Sequence, residues 1–112
     1  MTKAIPIDLL EETLVQSATI AKALGHPVRI AILKILAERD TCFCGDLTEV
    51  IPLAQSTVSQ HLKALKKAGL ITGEVEGVRT CYCLNPDGIK DLSNLLNNLS
   101  EELLNPTVKN CC

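Results

Sequence analysis

Two cysteines separated by one residue, Cys42 and Cys44, lie in the segment RDTCFCGDLTEV, residues 39–50. Thiolates are soft ligands, so this pair is suited to As(III), Sb(III), Cd(II), Zn(II) or Cu(I). Residues i and i+2 lie about 200° apart around a regular helix, so the two thiols reach one ion only where the chain is extended or the helix unwinds. The pair is therefore a candidate sensor site beside a predicted helix start.

A second pair, Cys81 and Cys83, lies on a predicted strand. The two residues share a face of that strand, but they lie about 6.6 Å apart along the chain at ~3.3 Å per residue. Cysteine also serves as a small apolar residue. We therefore expect Cys81 and Cys83 to be structural, with Tyr82 and Leu84 facing the core.

The length and composition indicate one small domain, and we expect no membrane-spanning segment. The chain has 112 residues with one Tyr, one Phe and no Trp, so its core is aliphatic and we expect helices. No stretch reaches the ~20 apolar residues of a membrane span. The first residues become acidic where a signal peptide becomes apolar, so we expect a cytoplasmic protein. In that reducing compartment clustered thiols bind metal or sense redox state more often than they form a disulfide framework, which is the alternative.

The spacing of apolar and helix-breaking residues predicts a mainly α fold with about five helices and a two-stranded β-hairpin. Pro27 and Pro86 suit the first turns of their helices, Gly69 suits a helix end, and Asn85 is the expected cap of the last helix. Glu76–Gly77 provides the hairpin turn. The predicted helices cover about 8–24, a segment beginning at residue 27, 44–51, 55–68 and 86–104, and the hairpin covers 70–84.

The helix predicted over residues 55–68 separates an apolar face from a polar one. Val58, Leu62 and Leu65 share the side that faces the core. Ser and Gln on the opposite arc can hydrogen-bond to base edges, and Lys can neutralise phosphate. With the short helix and turn before it and the hairpin after it, this pattern predicts a winged helix–turn–helix that binds the major groove. The candidate DNA contacts are Gln55, Ser56, Thr57, Ser59, Gln60, His61, Lys63, Lys66, Lys67 and, near the hairpin tip, Arg79.

Two observations bear on this prediction. The net charge is −2, but residues 55–80 carry more basic than acidic side chains, which permits DNA binding without demonstrating it. His61 lies at the border of the buried face, so a role at the edge of the core is the alternative to a base contact. For the helix alone, a solvated surface is the alternative.

The segment CFCGDLTEVIPLAQSTVSQHLKALKKAGLI, followed by GVRTCYCLNP, resembles the ArsR/SmtB metalloregulatory repressors. The resemblance covers nearly the whole chain and is strongest over residues 42–86. It implies a homodimeric winged helix–turn–helix that represses an operon until a metal or metalloid binds. Under this resemblance residues 1–105 form a single domain, with the helix–turn–helix at about 43–68, the wing at about 70–84, and dimerisation helices at about 8–24 and 86–104.

The last helix supports the dimer independently of the resemblance. Its apolar positions recur three and four residues apart, and a stripe this narrow suits packing against another helix, such as one from a second subunit. The stripe consists of Ile89, Leu92, Leu96, Leu99 and Leu103.

The resemblance also implies an inducer. Arsenic-sensing relatives carry C-x-C-D-L with a further Cys after the Leu, whereas here Gly45 is inserted and Thr48 follows Leu47. The chemistry of the family implies three thiolates for As(III), so a third ligand must come from elsewhere. Cys111 and Cys112, in a short tail of residues 106–112, are the candidates. The predicted metal ligands are thus Cys42, Cys44, Cys111 and Cys112, with As(III) or Sb(III) as inducer and no permanent cofactor.

Other functions stay open beside this one. A repressor of the same fold could respond to another soft metal, to sulfide or to thiol oxidation. A small thiol enzyme or metal carrier is a further class, but the chain has C-x-C rather than the C-x-x-C of an oxidoreductase and no catalytic Ser/His/Asp set. We therefore expect no enzyme, no membrane partner and no small-molecule substrate, and double-stranded operator DNA as the partner.

Overall fold

A computed structural model of the chain describes residues 12–73 and 80–106. Within them lie four α-helices, a 3₁₀ turn and a three-stranded antiparallel sheet of order β1-β3-β2. The predicted mainly α fold with a β wing is confirmed, although it has one α-helix fewer and one strand more than predicted. The elements are α1 (Glu12–Ala23), α2 (Pro27–Glu38), β1 (Cys42–Gly45), the 3₁₀ turn (Leu47–Glu49), α3 (Gln55–Lys67), β2 (Ile71–Gly73), β3 (Thr80–Leu84) and α4 (Pro86–Leu104).

The prediction of a helix over residues 44–51 is wrong, because this segment forms β1 and the 3₁₀ turn. Asp40 and Thr41 follow α2 with φ of 60° and 73°, and this left-handed pair turns the chain into β1. β1 then pairs with β3, so that Phe43 lies opposite Tyr82. A strand pairing with residues about forty positions away supplies the backbone hydrogen bonds that a local helix would otherwise supply.

The 3₁₀ turn preserves part of the predicted packing. Leu47 and Ile51 are buried as expected, but Val50 is exposed. Asp46 caps the turn, since its Oδ1 accepts hydrogen bonds from the Thr48 hydroxyl at 2.6 Å and from the Thr48 N–H at 2.9 Å. These two hydrogen bonds hold the pKa of Asp46 below its ordinary value.

The end of α3 is fixed by a Schellman motif. Gly69 adopts a φ of +80° and donates its N–H to the Lys66 carbonyl at 2.9 Å, while Leu70 donates its N–H to the Leu65 carbonyl at 3.0 Å. Glycine adopts this left-handed conformation without steric cost, which is why the sequence alone located the end of this helix.

Asn85 ties the start of α4 to the end of α3. It occupies the N-cap position of α4, but its side chain makes no capping hydrogen bond, contrary to the prediction. Its Nδ2 instead donates to the Gly69 carbonyl at 2.8 Å, and its backbone N–H donates to the Leu70 carbonyl at 2.9 Å. Gly88 of α4 is buried against the same Gly69 carbonyl, so the two helix ends touch backbone to backbone.

The core is aliphatic, as predicted, and encloses one pair of stacked aromatic rings. The ring centroids of Phe43 and Tyr82 lie 5.9 Å apart, and the Arg39 guanidinium lies 5.0 Å from the Phe43 centroid. The Tyr82 hydroxyl is buried without a hydrogen-bond partner among the described residues, and burial raises its pKa. The largest fully buried side chains are those of Tyr82, Ile32, Leu36, Leu65, Leu70 and Ile71. Among the helices described, none is both long and apolar enough to cross a membrane.

Gly88→Ala is expected to destabilise the protein by about 1–3 kcal/mol, because its Cβ would overlap the Gly69 carbonyl and force the helix ends apart. This loss outweighs the roughly 1 kcal/mol that Ala gains over Gly in helix propensity. Urea unfolding measures the change. Lys90→Ala, two residues along the same helix and exposed, is the matched control and should shift stability by less than about 0.5 kcal/mol. A Gly88→Ala variant as stable as wild type would contradict the backbone contact.

Candidate functional site

The polar arc predicted on α3 is exposed in the structure. Val58, Leu62 and Leu65 are buried in the core cluster, which fixes the rotation of the helix about its axis. We use the term reading face for the exposed polar residues on its outer side, which are Gln55, Ser56, Gln60, Lys63 and Lys67. Thr57 and Ser59 are half-buried at its edges.

The first turn of α3 suits an anion. Its N-cap residue, Ala54, has no side-chain capping bond, and no acidic residue stands in the first turn. The N–H groups of a first turn carry the positive end of the helix dipole, so a DNA phosphate is favoured there. The 3₁₀ turn and Ile51 pack in the same core cluster as α3 and hold this end in place.

Lys66 connects α3 to the wing. Its Nζ donates a hydrogen bond to the Gly73 carbonyl at the end of β2, at 2.6 Å. Gly73 has a φ of +110°, and a Cβ there would overlap the Cys81 carbonyl of β3. The Lys66 ammonium therefore contacts the end of β2, and it lies at the edge of the reading face.

His61 lies on the core side of α3. Its side chain is 9% exposed, and its Nδ1 accepts a hydrogen bond from Arg29 Nε at 3.1 Å. The His26 ring centroid lies 4.3 Å away. Desolvation, followed by the electrostatic effects of His26 and Arg29, lowers the pKa of His61, so the neutral ring is favoured. This environment fits the core-edge alternative for His61 and removes it from the face that would meet DNA.

The structure brings Cys42 and Cys44 together with the pair that was expected to be structural. In the antiparallel register Cys42 lies opposite Cys83 and Cys44 opposite Cys81, with Cα–Cα distances of 4.0 and 4.1 Å. Both cross-strand pairs form disulfide bonds. Tyr82 and Leu84 do face the core, as predicted. We use the term cysteine square for Cys42, Cys44, Cys81 and Cys83.

The cysteine square lies on the outer face of the sheet. Cys42, Cys44 and Cys81 are exposed and Cys83 is half-buried, whereas Phe43 and Tyr82 alternate with them on the buried face. Cys81 and Cys83 are therefore not buried apolar side chains. Their disulfide bonds are nevertheless a structural role, so the expectation that they are structural is not contradicted.

The donor chemistry of the square fits a soft ion only in its reduced form. Sulfur ligands must be thiolates to bind metal, and a disulfide has none. In keeping with this, the described residues contain no group of three or more Cys, His, Asp or Glu side chains placed to hold a metal ion. The remaining predicted site residues, Arg79, Cys111 and Cys112, and the hairpin turn at Glu76–Gly77 lie outside the described part of the chain.

The leucine stripe of α4 divides into two parts. Ile89 and Leu92 pack against the core, whereas Leu96, Leu99 and Leu103 are exposed, Leu103 to 71%. Leu14 and Val15 of α1 are exposed as well. A groove between the two helices is lined by Thr13, Leu14, Gln16, Ser17, Ile20, Asp91, Asn94, Leu95, Asn98, Leu99 and Glu102.

Comparison with known proteins agrees with this architecture. A family profile described as a helix-turn-helix domain matches residues 24–74. An uncharacterised HTH-type transcriptional regulator of Methanocaldococcus jannaschii is 39% identical over 85 residues, which cover 75% of this chain and 94% of that protein. The arsenical resistance operon repressor of Bacillus subtilis is 43% identical over 83 residues, or 73% of this chain and 72% of that protein.

This chain belongs to the ArsR/SmtB family. Its fold agrees with the solution structure of a homodimeric winged helix-turn-helix domain from Mycobacterium bovis, described as a possible ArsR-family regulator, which is 24% identical with a TM-score of 0.59 and covers 99% of this chain and 100% of that one. The ArsR/SmtB resemblance predicted from the C-x-C-to-wing segment is thus confirmed, and the chain is a helix–turn–helix transcriptional regulator.

The lowered pKa of His61 predicts a pH dependence of stability. Between the ordinary histidine pKa of ~6.5 and the lower folded-state value, the unfolded chain binds more protons than the folded chain, so stability falls as pH drops through this window. His61→Leu should flatten this part of the profile, since the titrating group is gone. Urea midpoints between about pH 7.5 and about pH 5.5 measure the slope. Equal slopes in wild type and variant would show that His61 titrates as it does in the unfolded chain.

Proposed function

We propose that this ArsR/SmtB protein is a dimeric repressor that binds operator DNA and releases it when a thiophilic effector reacts with its cysteines. The observation that carries the proposal is the reading face of α3, which lies opposite the buried Val58, Leu62 and Leu65. A helix held by its apolar side and presenting Ser, Gln and Lys outward has what major-groove recognition requires. Similarity to an arsenical resistance operon repressor supports repression as the mode of action.

The residues of α3 divide between two kinds of contact. Ser56 and Gln60 stand where side chains can reach base edges, and they carry sequence preference. Lys63 and Lys67 neutralise phosphates and add affinity that depends on salt. Lys66 orients the wing through Gly73, and Arg79 is the proposed wing contact. Thr57 and Ser59 assist at the edges of the face, while His61 acts through the core.

The exposed half of the α4 stripe supports the dimer. Leu96, Leu99 and Leu103 project from α4 beyond the core, and exposed leucines at helical spacing are stabilised by packing against an equivalent helix. Leu14 and Val15 of α1 extend this apolar surface. A two-fold axis through it would separate two reading faces by one turn of DNA, about 34 Å, so we expect a palindromic operator.

The effector we propose is As(III) or Sb(III), bound by cysteine thiolates, because soft trivalent ions favour sulfur ligands. Thiol oxidation is the second candidate, and the two cross-strand disulfides are the observation that favours it. We place the repressor in the cytoplasm and assign it no catalytic role, no membrane partner and no small-molecule substrate.

Substitutions on the reading face should separate the two kinds of contact. Gln60→Ala is expected to weaken operator binding by about 1–3 kcal/mol per subunit and to relax the preference for operator over unrelated DNA. Lys67→Ala should weaken binding to both DNAs alike and reduce the log–log salt slope by about 1 per subunit. Fluorescence anisotropy over a salt series measures both effects. Lys90→Ala, on α4, is the control, and a change there as large as at Lys67 would contradict the assignment of this face.

Leu99→Glu with Leu103→Glu is expected to convert the dimer to a monomer, since two charges would have to be buried in the contact. Sedimentation velocity measures the change in mass, and operator affinity should fall with it because only one half-site is then held. Asn97→Glu, on a different side of α4, is the matched control and should remain dimeric. A monomeric wild-type protein would overturn the dimer directly.

A further inference from the structure

We propose that the cysteine square is a single effector site, in which Cys81 and Cys83 supply the thiolates that the C-x-C pair alone lacks. In the reduced protein the square binds one thiophilic ion. In the oxidised protein the same four sulfurs form two disulfides and bind none. This inference rests on the proposed function for its regulatory meaning, but ion binding itself is a separate observable.

The positions of the four residues fit one ion. Across the strands the Cα atoms of each pair lie 4.0 and 4.1 Å apart. Along each strand Cys42 and Cys44, or Cys81 and Cys83, are about 6.6 Å apart. With a metal–sulfur bond of about 2.3 Å, sulfurs around a tetrahedral ion lie about 3.8 Å from each other. A lean of about 1.4 Å per side chain along the strand direction closes the spacing of the two cysteines on each strand to this value. The square becomes a tetrahedron when one diagonal pair of sulfurs stands higher above the sheet than the other pair.

The exposure of the cysteine square and the residues that surround it also favour ion binding there. Three of the four residues are exposed, so an ion or an oxidant reaches the sulfurs without opening the core. On β2 the residue opposite Cys83 is Thr72, which is exposed and uncharged. The Thr41 hydroxyl lies 3.9 Å from the Cys42 sulfur, a contact that suits a thiolate acceptor. The dense sulfur set, rather than carboxylates or imidazoles, selects soft ions.

The chemistry of the two states balances. Arsenite, As(OH)₃, bonds to the sulfurs of three thiols, and its three hydroxides leave with the three thiol protons as three waters, so one cysteine is unused. A divalent ion such as Cd²⁺ takes all four thiolates and releases four protons. Two small-molecule disulfides, acting by thiol–disulfide exchange, oxidise the four thiols to two protein disulfides and leave as four small thiols. Ion binding and oxidation thus compete for the same sulfurs.

The square is placed to control DNA binding because of what it encloses. The bonds Cys42–Cys83 and Cys44–Cys81 join positions 41 and 37 residues apart. The 3₁₀ turn, α3 and β2 all lie inside this loop, and so does the proposed wing contact Arg79. β1 leads through Asp46 into the turn that supports α3, while β3 pairs with β2 of the wing. The bonding state of the four sulfurs, disulfide or ion-bound, therefore sets the position of α3 relative to the wing in this proposal.

Ion binding to the reduced full-length protein tests the proposal. Native mass spectrometry and competitive titration should find one arsenite or one Cd²⁺ per chain. Cys81→Ser with Cys83→Ser is expected to lower the affinity for both ions by more than about 100-fold. This loss exceeds the 10–100-fold that is typical when a residue supporting a metal ligand is removed. Cys83→Ser alone leaves three thiolates, so it should weaken Cd²⁺ more than arsenite. Cys111→Ser with Cys112→Ser tests the competing assignment of the third thiolate to the tail, and under this proposal it binds both ions as wild type does.

The opposite pattern overturns the proposal. If the Cys81/Cys83 double variant binds arsenite like wild type while the tail variant does not, the third ligand comes from the tail. Oxidised protein, lighter by four hydrogen atoms, should bind neither ion, and retention of binding would equally refute a shared site. Operator affinity is measured in parallel, with an expected loss of about 5- to 150-fold on ion binding. Failure of the reduced, ion-free protein to bind any operator would refute the proposed function, while leaving the ion-binding result intact.

Discussion

The antiparallel pairing of β1 with β3 is the constraint on which the rest of the structure depends. It is short, yet it joins the segment that precedes the helix–turn–helix to the strand that completes the wing. Its inner face contributes Phe43 and Tyr82 to the core, and its outer face presents the cysteine square. Because side chains alternate along a strand, a shift of the register by one residue would exchange these two sets, exposing the rings and burying the sulfurs. The buried aromatic pair therefore also fixes where the cysteines lie.

Elements whose boundaries depend on local chemistry could be predicted from the sequence. Pro27 begins α2, Pro86 begins α4, and Gly69 follows the end of α3, each at the expected position. In each case one residue type suits a backbone conformation that its neighbours alone define. The rotation of α3 could be predicted for a similar reason, since Val58, Leu62 and Leu65 mark its buried side by their spacing.

The segment after α2 could not be predicted in this way, because its partner is distant in sequence. The spacing of Leu47, Val50 and Ile51 is helical, and a 3₁₀ turn satisfies most of it, so the local pattern did not distinguish the two. The decisive signal was the repetition of a Cys-aromatic-Cys motif in CFC and CYC, which places like residues opposite each other only if the two segments pair. The role of Asn85 was misjudged for the same physical reason, whereas the core-edge role considered for His61 agrees with its contacts. Each polar side chain finds its partner on another element, Gly69 for one and Arg29 for the other.

The cysteine square differs from the disulfides that hold small secreted domains together. In the chain-entropy description a loop of about forty residues closed by one disulfide stabilises a protein by about 4 kcal/mol, and a second bond within the same loop adds less. Domains that require this contribution lack a sufficient core. Here α2, α3 and the sheet enclose a continuous aliphatic core, and the sulfurs lie outside it on an exposed face. This core gives the fold a source of stability other than the disulfides. The loop that they close contains α3 and β2, so the change of bonding that we propose acts on the segment that carries the reading face.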